Sequence, residues 1–203
     1  MMRLYSAPAS PFGRKVKITA IVKGLKDHVD TVHGDTRSGQ NAELAAANPL
    51  QKIPALILED GTHLFDSKVI CEYLDSLVPI PVLFPPAGIP RFRCLTRGAL
   101  ADGIMEAALL IVYEERYRPA DKRVPEWIAR QQAKVDGGLA ALEAGPPAWS
   151  SFPDYSHIAL ACALGYLDLR FDGKWRAANP KLVAWLKSFA AAVPAFDATT
   201  PVG

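Results

Sequence analysis

The fold of this chain can be predicted from residues 48–56, which read Asn48-Pro49-Leu50-Gln51-Lys52-Ile53-Pro54-Ala55-Leu56. Pro54 enters an apolar run although it has no N–H to donate to a sheet, so it belongs at the start, the edge or a bulge of a strand. We predict that it is the first residue of a strand that continues through residues 55–58. Backbone groups of Ile53 are then left to pair with another molecule, such as a bound peptide.

A second informative feature, Phe65-Asp66-Ser67, comes shortly afterwards. It opens a predicted helix, because the residues that follow have helical apolar spacing: Val69, Ile70, Tyr73, Leu74 and Leu77. A helix N-terminus offers unpaired N–H groups and positive partial charge, which suit a carboxylate. Together the two features predict a site for a small anionic peptide.

These motifs resemble the glutathione-binding half of the glutathione S-transferase family. Residues 4–16 match the same family's first strand, loop and first helix: Leu4-Tyr5-Ser6-Ala7-Pro8-Ala9-Ser10-Pro11-Phe12-Gly13-Arg14-Lys15-Val16. The resemblance covers essentially the whole chain. It implies the glutathione transferase fold, an α/β thioredoxin-like N-terminal domain followed by an all-α C-terminal domain. It also implies a cis peptide bond before Pro54, which X-Pro bonds permit.

The hydrophobic pattern changes near residue 80, and this change predicts the domains. Residues 78–90 contain five prolines and resist both helix and sheet. We predict a thioredoxin-like glutathione-binding domain at 1–78, a proline-rich linker at 79–90 and an all-helical domain at 91–203. The first domain is expected to contain strands at 3–6, at 28–33 and around Ile57, a hairpin turn at Asp60-Gly61, and helices at 10–23 and from Ser67. Residues 34–47 are expected to form a loop or a short helix.

The second domain is expected to be helical at 92–118, at 125–144, around the wholly apolar residues 158–167, and from Pro180 onward. Asp154 can cap the helix at 158–167. Relatives with this fold usually have Ser or Thr there, with Asp three residues later. Because His157 replaces that Asp, we expect a weaker cap, by at most about 1 kcal/mol.

The composition is that of an ordinary globular chain, with 203 residues, 50% hydrophobic and 22% charged. A net charge of +2 is too small to indicate binding to nucleic acid or to an anionic membrane. Cys71, Cys94 and Cys162 have no pairing pattern, and the chain enters its first strand without a charged-then-apolar leader. We therefore expect a cytoplasmic protein. The four histidines are scattered, so no metal site is expected.

Ser10 is the candidate catalytic residue. The thiol of glutathione, the implied co-substrate, has a pKa near ~8.5 and needs a hydroxyl donor and a helix N-terminus to ionise at neutral pH. Ser10 precedes Pro11-Phe12 at the first turn of the first helix, where the family places its catalytic Ser or Cys. A Ser-Pro pair is also a good helix start by itself, so capping is the structural alternative. Tyr5 and Ser6 are alternative donors.

The resemblance also implies which residues bind glutathione. Ile53, before Pro54, is expected to pair its backbone with the cysteinyl part. Asp66 would face the ammonium and Ser67 the carboxylate of the γ-glutamyl end, although both could simply start a helix. Lys52 could face the glycine carboxylate, or it could be a solvated lysine. Two weaker candidates are Gln51 and Gln40.

The helical domain is expected to provide the second-substrate site, between the domains, and the dimer contacts. Tyr113 and Tyr117 are possible walls of that site, with Arg116 and Trp175 beside them, although aromatic residues on helices are more often core. Asp102 lies on the helix that forms dimer interfaces in this family. It could reach the partner's glutathione, or it could have a helix–helix or solvated role.

We interpret the chain as a cytoplasmic, homodimeric glutathione transferase-like enzyme. It would add the glutathione thiolate to a small electrophilic substrate, as in detoxification, with no metal, nucleic acid or membrane involved. Glutathione-dependent isomerisation or dehalogenation at the same site is a second interpretation. A non-catalytic interaction protein with this fold is a third, since the fold alone does not decide the function.

Overall fold

The computed structural model describes residues 1–36 and 41–201. The chain forms two compact units. The first contains residues 1–86 and the segment from residue 193 onward, and the second contains residues 87–192. The second unit begins at residue 87 rather than at residue 91 and ends at residue 192 rather than at residue 203, so both limits differ from the predicted helical domain. The proline-rich segment belongs to the first unit as far as Pro86, and the C-terminal segment belongs there as well.

A four-stranded mixed sheet in the order β2-β1-β3-β4 forms the centre of the first unit. β1 pairs in parallel with β2 and antiparallel with β3, and β4 returns antiparallel to β3. The strands are β1 (Met2–Ser6), β2 (Val29–His33), β3 (Ala55–Ile57) and β4 (His63–Leu64). The helices are α1 (Pro11–Val22), α2 (Ala42–Ala47) and α3 (Ser67–Leu77), a 3₁₀ turn at Lys26–His28, and a short C-terminal helix at Ala195–Ala198. This element order confirms the thioredoxin-like prediction.

The second unit consists of helices. They are α4 (Gly88–Tyr117), α5 (Pro125–Ala144), α6 (Tyr155–Phe171) and α7 (Pro180–Ala192), with 3₁₀ turns at Ala120–Lys122 and Lys174–Ala178; the short C-terminal helix of the first unit is α8. α4 packs against both α5 and α6, and α6 is buried along most of its length, as its wholly apolar sequence predicts. The predicted fold class is thus confirmed. Across the residues described, no helix is long and apolar enough to cross a membrane.

Two buried anchors explain why the proline-rich and C-terminal segments join the first unit. Asp75 on α3 accepts the backbone N–H groups of Leu83 at 3.0 Å and Phe84 at 2.9 Å. Arg14 on α1 donates to the carbonyl oxygen of Phe196 at 2.7 Å, and its guanidinium carbon lies 4.0 Å from the centre of the Phe196 ring. Asp75 reaches backbone groups eight and nine residues away, and Arg14 reaches Phe196 across 182 residues, so neither anchor shows in the local hydrophobic period.

Several elements differ from the prediction in their bounds or their presence. β3 begins at Ala55, one residue after Pro54. α4 begins at Gly88 rather than at Phe92, because a proline such as Pro90 is tolerated in the first turn of a helix. α8 was not predicted, since four residues are too few to show a helical period.

The N-terminus of α6 has a complete capping box in spite of its unusual sequence. Asp154 Oδ1 accepts the backbone N–H of Ser156 at 2.9 Å and that of His157 at 3.3 Å. In return, the backbone N–H of Asp154 donates to His157 Nδ1 at 3.0 Å. His157 Nδ1 therefore accepts the hydrogen bond that the Asp usual at this position would accept. The capping box is complete although His replaces Asp.

Candidate functional site

One edge of the sheet gathers most of the predicted binding residues. β3 alone runs opposite to the other strands, so its start lies beside the carboxyl ends of β1, β2 and β4. Leu56 of β3 pairs with Leu64 of β4. Pro54 directly precedes β3, and Asp66 follows two residues after the end of β4, so both lie at this edge. The strand order therefore joins segments that are far apart in sequence.

Ser10 follows β1 at this edge and is the N-cap of α1. Its Oγ accepts the backbone N–H of Gly13 at 3.1 Å, so the capping alternative is observed. This capping bond uses a lone pair of the Ser10 oxygen and does not use the hydroxyl hydrogen. Among the described residues, the Ser10 hydroxyl donates no hydrogen bond. Ser10 is half-buried, and the first turn of α1 contains no acidic residue. The serine can therefore cap α1 and also donate to an anion.

The two alternative donors are enclosed. Tyr5 is only 2% exposed, and its hydroxyl donates to Glu43 Oε2 at 3.1 Å. Ser6 is equally buried, and its Oγ has no hydrogen-bond partner among the described residues. A Cβ added at Gly13 would collide with that oxygen, so α1 lies directly over Ser6. Of the three hydroxyls, the geometry favours Ser10 as a donor to a ligand.

Ile53 lies against Gly34, the residue that follows β2. The backbone N–H of Gly34 donates to the carbonyl oxygen of Ser6 at 2.8 Å. An added Cβ at Gly34 would be 2.5 Å from Ile53 Cγ2, so only glycine allows this approach. The Ile53–Pro54 bond is cis, as the resemblance implies, and strand pairing starts after it, at Ala55. The backbone of Ile53 therefore lies outside the β3 pairing. No sequence pattern indicated this role of Gly34.

Asn48 organises the loop before Ile53, a role that the sequence analysis missed. It is 2% exposed. Its Oδ1 accepts the backbone N–H of Leu50 at 3.0 Å, and its Nδ2 donates to the carbonyl oxygen of Lys52 at 2.9 Å. The Asn-Pro pair at the head of the motif was the available signal, because Asn side chains often bond backbone groups two residues on.

Replacing Asn48 with alanine is expected to lower the free energy of unfolding by about 1 kcal/mol, because two backbone groups lose a buried partner and must turn to water. The urea midpoint measured by circular dichroism tests this. Gln51, which is exposed in the same loop, provides the matched control, and Gln51→Ala should leave the midpoint unchanged. Equal midpoints for wild type and Asn48→Ala would show that the loop does not depend on Asn48.

Asp66 and Ser67 start α3. Asp66 is the N-cap, and its Oδ1 accepts the backbone N–H of Lys68 at 3.0 Å, so here too the capping alternative is observed. Asp66 is exposed, whereas Ser67 is 3% exposed at the first helical position. The Phe65–Asp66 peptide bond is cis. The pair offers a carboxylate next to the free N–H groups of a helix N-terminus, which suits a ligand with both an ammonium and a carboxylate.

Three further candidates for contact with glutathione are Lys52, Gln51 and Gln40. Lys52 is exposed, and no acid is assigned to its ammonium group among the residues described. Gln51 is exposed with a φ of 51°. Gln40 lies outside the described residues.

The candidates in the helical unit lie in different surroundings. Asp102 Oδ2 accepts the hydroxyl of the buried Tyr155 at 3.3 Å, which is a helix–helix role. Tyr113 and Tyr117 form an edge-to-face pair with ring centres 5.1 Å apart, and Tyr117 is 53% exposed. Trp175 is buried and donates from Nε1 to Asp168 at 2.9 Å, so it is a core residue.

The three cysteines are buried, and none of them forms a disulfide in the described part of the chain. Burial, with a smaller effect of the nearby Asp154 carboxylate, raises the pKa of Cys94 to about 12. Cys71 accepts a hydrogen bond from Thr19 Oγ1 at 3.4 Å. Buried thiols in such places are unreactive. Among the described residues, no group of three or more histidines, cysteines or acids could hold a metal ion.

A thioredoxin-like unit followed in the chain by an all-helical unit is the arrangement that defines the glutathione transferase class of folds. Two family models match this chain. The glutathione S-transferase N-terminal domain matches residues 9–77, and the glutathione S-transferase C-terminal domain matches residues 125–188. The chain belongs to the glutathione S-transferase family.

Individual relatives agree with this assignment. The chain is 33% identical over 187 residues to the GST-like protein YibF of Escherichia coli K12, covering 90% of each. It is 29% identical over 150 residues to maleylacetoacetate isomerase of Pseudomonas aeruginosa, covering 70% of this chain and 68% of the isomerase. A crystal structure of a glutathione transferase family member from Pseudomonas fluorescens Pf-5, with bound glutathione, matches with 40% identity and a TM-score of 0.94 over the full length of both chains.

Proposed function

We propose that this protein is a glutathione transferase in which Ser10 activates the thiol of bound glutathione. The Ser10 hydroxyl is the observation that carries the proposal. Its oxygen caps α1 at 3.1 Å from the N–H of Gly13, and no acceptor is assigned to its hydrogen in the described chain. The Pseudomonas fluorescens structure, at 40% identity, supports glutathione as the ligand.

The sheet edge supplies the remaining contacts of the proposal. Ile53 pairs its backbone with the cysteinyl residue of glutathione. Asp66 accepts from the γ-glutamyl ammonium, and Ser67 donates to the neighbouring carboxylate. Lys52 extends its ammonium to the glycine carboxylate. Each contact matches a charge or a hydrogen-bonding group of the tripeptide.

The chemistry begins with the thiolate. A hydrogen bond from Ser10 and the N-terminus of α1 both stabilise the charged sulfur, and lowering its pKa by ~2 units corresponds to ~2.7 kcal/mol. The sulfur then forms a C–S bond with an electrophilic carbon. A leaving group departs with the bonding electron pair, or in an unsaturated acceptor the π pair moves to the next carbon, which takes a proton from water. Tyr113 and Tyr117 are the proposed contacts of the electrophile.

A homodimer acting in the cytoplasm completes the proposal. The helix α4, which carries Asp102, is the proposed dimer contact. The carboxylate of Asp102 already accepts a hydrogen bond from Tyr155, so any contact with the partner's glutathione would be made by a group that also joins α4 to α6.

A titration of the bound thiol tests the proposal. Glutathione at saturating protein is followed by thiolate absorbance in the ultraviolet from pH 5 to 9, and we expect a midpoint about two units below that of free glutathione. Binding with an unchanged midpoint would contradict thiol activation, and no binding would favour a non-catalytic interaction protein.

A second candidate, glutathione-dependent isomerisation, is favoured by the relation to a maleylacetoacetate isomerase. It uses the same activated thiol, so the titration does not separate it from transfer. Product analysis does: a stable thioether indicates transfer, and recovery of glutathione with a rearranged substrate indicates isomerisation.

A further inference from the structure

A groove in the helical unit lies between α5 and the residues that connect α6 with α7. Residues between 132 and 144 line one side of it and residues between 167 and 181 line the other, and we call it the α5–α7 groove. Its volume of about 680 Å³ is in the range of small-molecule sites in proteins. Neither Tyr113 nor Tyr117, the proposed contacts of the electrophile, lines this groove. The proposed transferase reaction therefore gives it no role.

The α5–α7 groove has an apolar floor. Most of the surface that lines it is apolar. The apolar lining residues that are buried or half-buried are Val135, Leu139, Leu167, Phe171 and Trp175. Two of them are aromatic, and aromatic side chains pack well against a planar ring of a ligand. A planar apolar molecule would leave water on entering the groove, and this transfer favours its binding.

The charges that line the groove are balanced. The charged lining residues are Asp136, Glu143, Lys174 and Lys181, two acids and two bases, so their formal charges sum to zero. The carboxylate of Glu143 is already engaged at the start of α7, where it accepts the backbone N–H of Lys181 at 2.9 Å and that of Leu182 at 2.8 Å. A charged ligand would lose hydration in the groove without meeting a net opposite charge. The balance of charges therefore favours a neutral ligand.

Asn179 is a buried polar residue of the groove lining whose hydrogen bonding is incomplete. It is 7% exposed. Its Nδ2 donates to the carbonyl oxygen of Trp175 at 2.7 Å, whereas its Oδ1 accepts no hydrogen bond among the described residues. A buried amide oxygen without a donor is costly, and a polar hydrogen of a ligand would satisfy it. This oxygen therefore favours a ligand that donates a hydrogen bond.

We propose that the α5–α7 groove binds a neutral aromatic molecule with a hydroxyl group, of the phenol or naphthol type. The hydroxyl donates to Asn179 Oδ1, and the ring lies on the apolar floor beside Phe171 and Trp175. A phenolic hydroxyl has a pKa near ~10, so it is neutral and a donor at pH 7. The inference does not rest on the proposed transferase function, because no residue assigned there to glutathione or to the electrophile lines the groove.

Three naphthalene derivatives of similar size test the inference by calorimetry at pH 7. 2-Naphthol has the hydroxyl, 2-methoxynaphthalene has no donor, and 2-naphthoate carries a negative charge. We expect wild type to bind 2-naphthol about 5-fold more tightly than either of the other two, because only 2-naphthol is both neutral and a donor. Binding of the ether or of the acid as tightly as 2-naphthol would overturn the inference.

Asn179→Ala tests the hydrogen bond. In this variant the preference for 2-naphthol over 2-methoxynaphthalene should fall below about twofold. A variant that merely loosened the groove would weaken both ligands alike and keep the preference, so the ratio separates a contact with the ligand from a structural role. An unchanged preference in Asn179→Ala would overturn the assignment of Asn179. Thermal melting verifies that the variant folds.

A matched pair of alanines on α5 tests the place of binding. Ala140 and Ala141 are both exposed, but only Ala140 lines the groove. Ala140→Leu puts a larger side chain into the groove and should weaken the binding of 2-naphthol at least about 10-fold, whereas Ala141→Leu should leave it unchanged. Saturating S-hexylglutathione, a ligand for the proposed transferase site, should not displace 2-naphthol from wild type. Displacement by this compound, or equal affinity of wild type and Ala140→Leu, would overturn the groove as the binding site.

Discussion

Replacing Ser10 with alanine is expected to raise the pKa of bound glutathione towards its free value and to lower kcat/KM between about 10- and 100-fold at pH 6.5. The reason is the loss of a hydrogen bond to a charged sulfur, which is worth about 1.5–3 kcal/mol. The thiolate titration and initial rates with a neutral electrophile measure the two effects. They should change together, because both report the stability of the same thiolate.

The capping role of Ser10 requires a control, since its Oγ also accepts the N–H of Gly13. Glycine at an N-cap costs only a few tenths of a kcal/mol but has no hydroxyl. Ser10→Gly should therefore nearly keep the stability of wild type and still lose activity, whereas Ser10→Thr should retain both.

Two further variants address the alternative donors. Tyr5→Phe and Ser6→Ala remove buried hydroxyls that face Glu43 and Gly13, and we expect neither to change the thiol pKa. A normal pKa shift in Ser10→Gly combined with its loss in Tyr5→Phe would transfer the role to Tyr5.

Replacing Asp154 with alanine is expected to lower the free energy of unfolding by about 2–3 kcal/mol, the largest effect on stability that we predict. The carboxylate holds the N-terminus of the buried helix α6 through the N–H groups of Ser156 and His157, and it also contacts His157 Nδ1 at 2.6 Å. Loss of an N-cap alone costs up to about 2 kcal/mol, and loss of a charge at a helix N-terminus adds to this. Urea unfolding at pH 7 provides the measurement.

The same carboxylate predicts a dependence on acid. Burial raises the pKa of Asp154, but its contact with His157, the hydrogen bond from Ser156 and the nearby charge of Arg97 outweigh burial, lowering the pKa from 3.8 to about 2. Because the folded-state pKa is depressed, the ionised carboxylate stabilises the fold above pH 3.8, and this contribution of about 2 kcal/mol is lost as the pH falls towards 2.

Asparagine provides the control for that pH dependence, because it caps helices well but does not ionise. Asp154→Asn should be less stable than wild type by up to about 2 kcal/mol at pH 7, and this difference should disappear between pH 4 and 2. A constant difference between the two proteins across this range would show that the ionisation of Asp154 does not contribute to stability.

Local patterns predicted most of the fold. α5 lies at the predicted residues because Pro125 suits a first turn and the Gly-Pro-Pro run from Gly145 stops a helix. The wholly apolar run of α6 correctly indicated a buried helix. The pattern failed at α8, which is too short, and at the C-terminal segment, which Arg14 holds to the first unit by contacts across the length of the chain.

The candidate site was predicted less completely. Ser10, Ile53 and Asp66 came from motifs, whereas Asn48 and Gly34 were found only in the structure. Asn48 acts through bonds to nearby backbone groups, and the motif that contains it could have indicated this role. Gly34 acts by having no side chain next to Ile53, and no local pattern records a contact of that kind.

Local sequence patterns were sufficient to predict the elements, their order, the family resemblance and the chemical types of the candidate residues, because helix periods, caps and turn residues act over a few neighbours. Which of these residues lie close together depends on the tertiary structure. The reversed direction of β3 brings its start to the carboxyl end of β4, the packing of α1 encloses Ser6, and the pairing of α4 with α6 sets Asp102 beside Tyr155. Such contacts depend on strand order, register and helix packing, which result from the burial of apolar side chains over the whole chain.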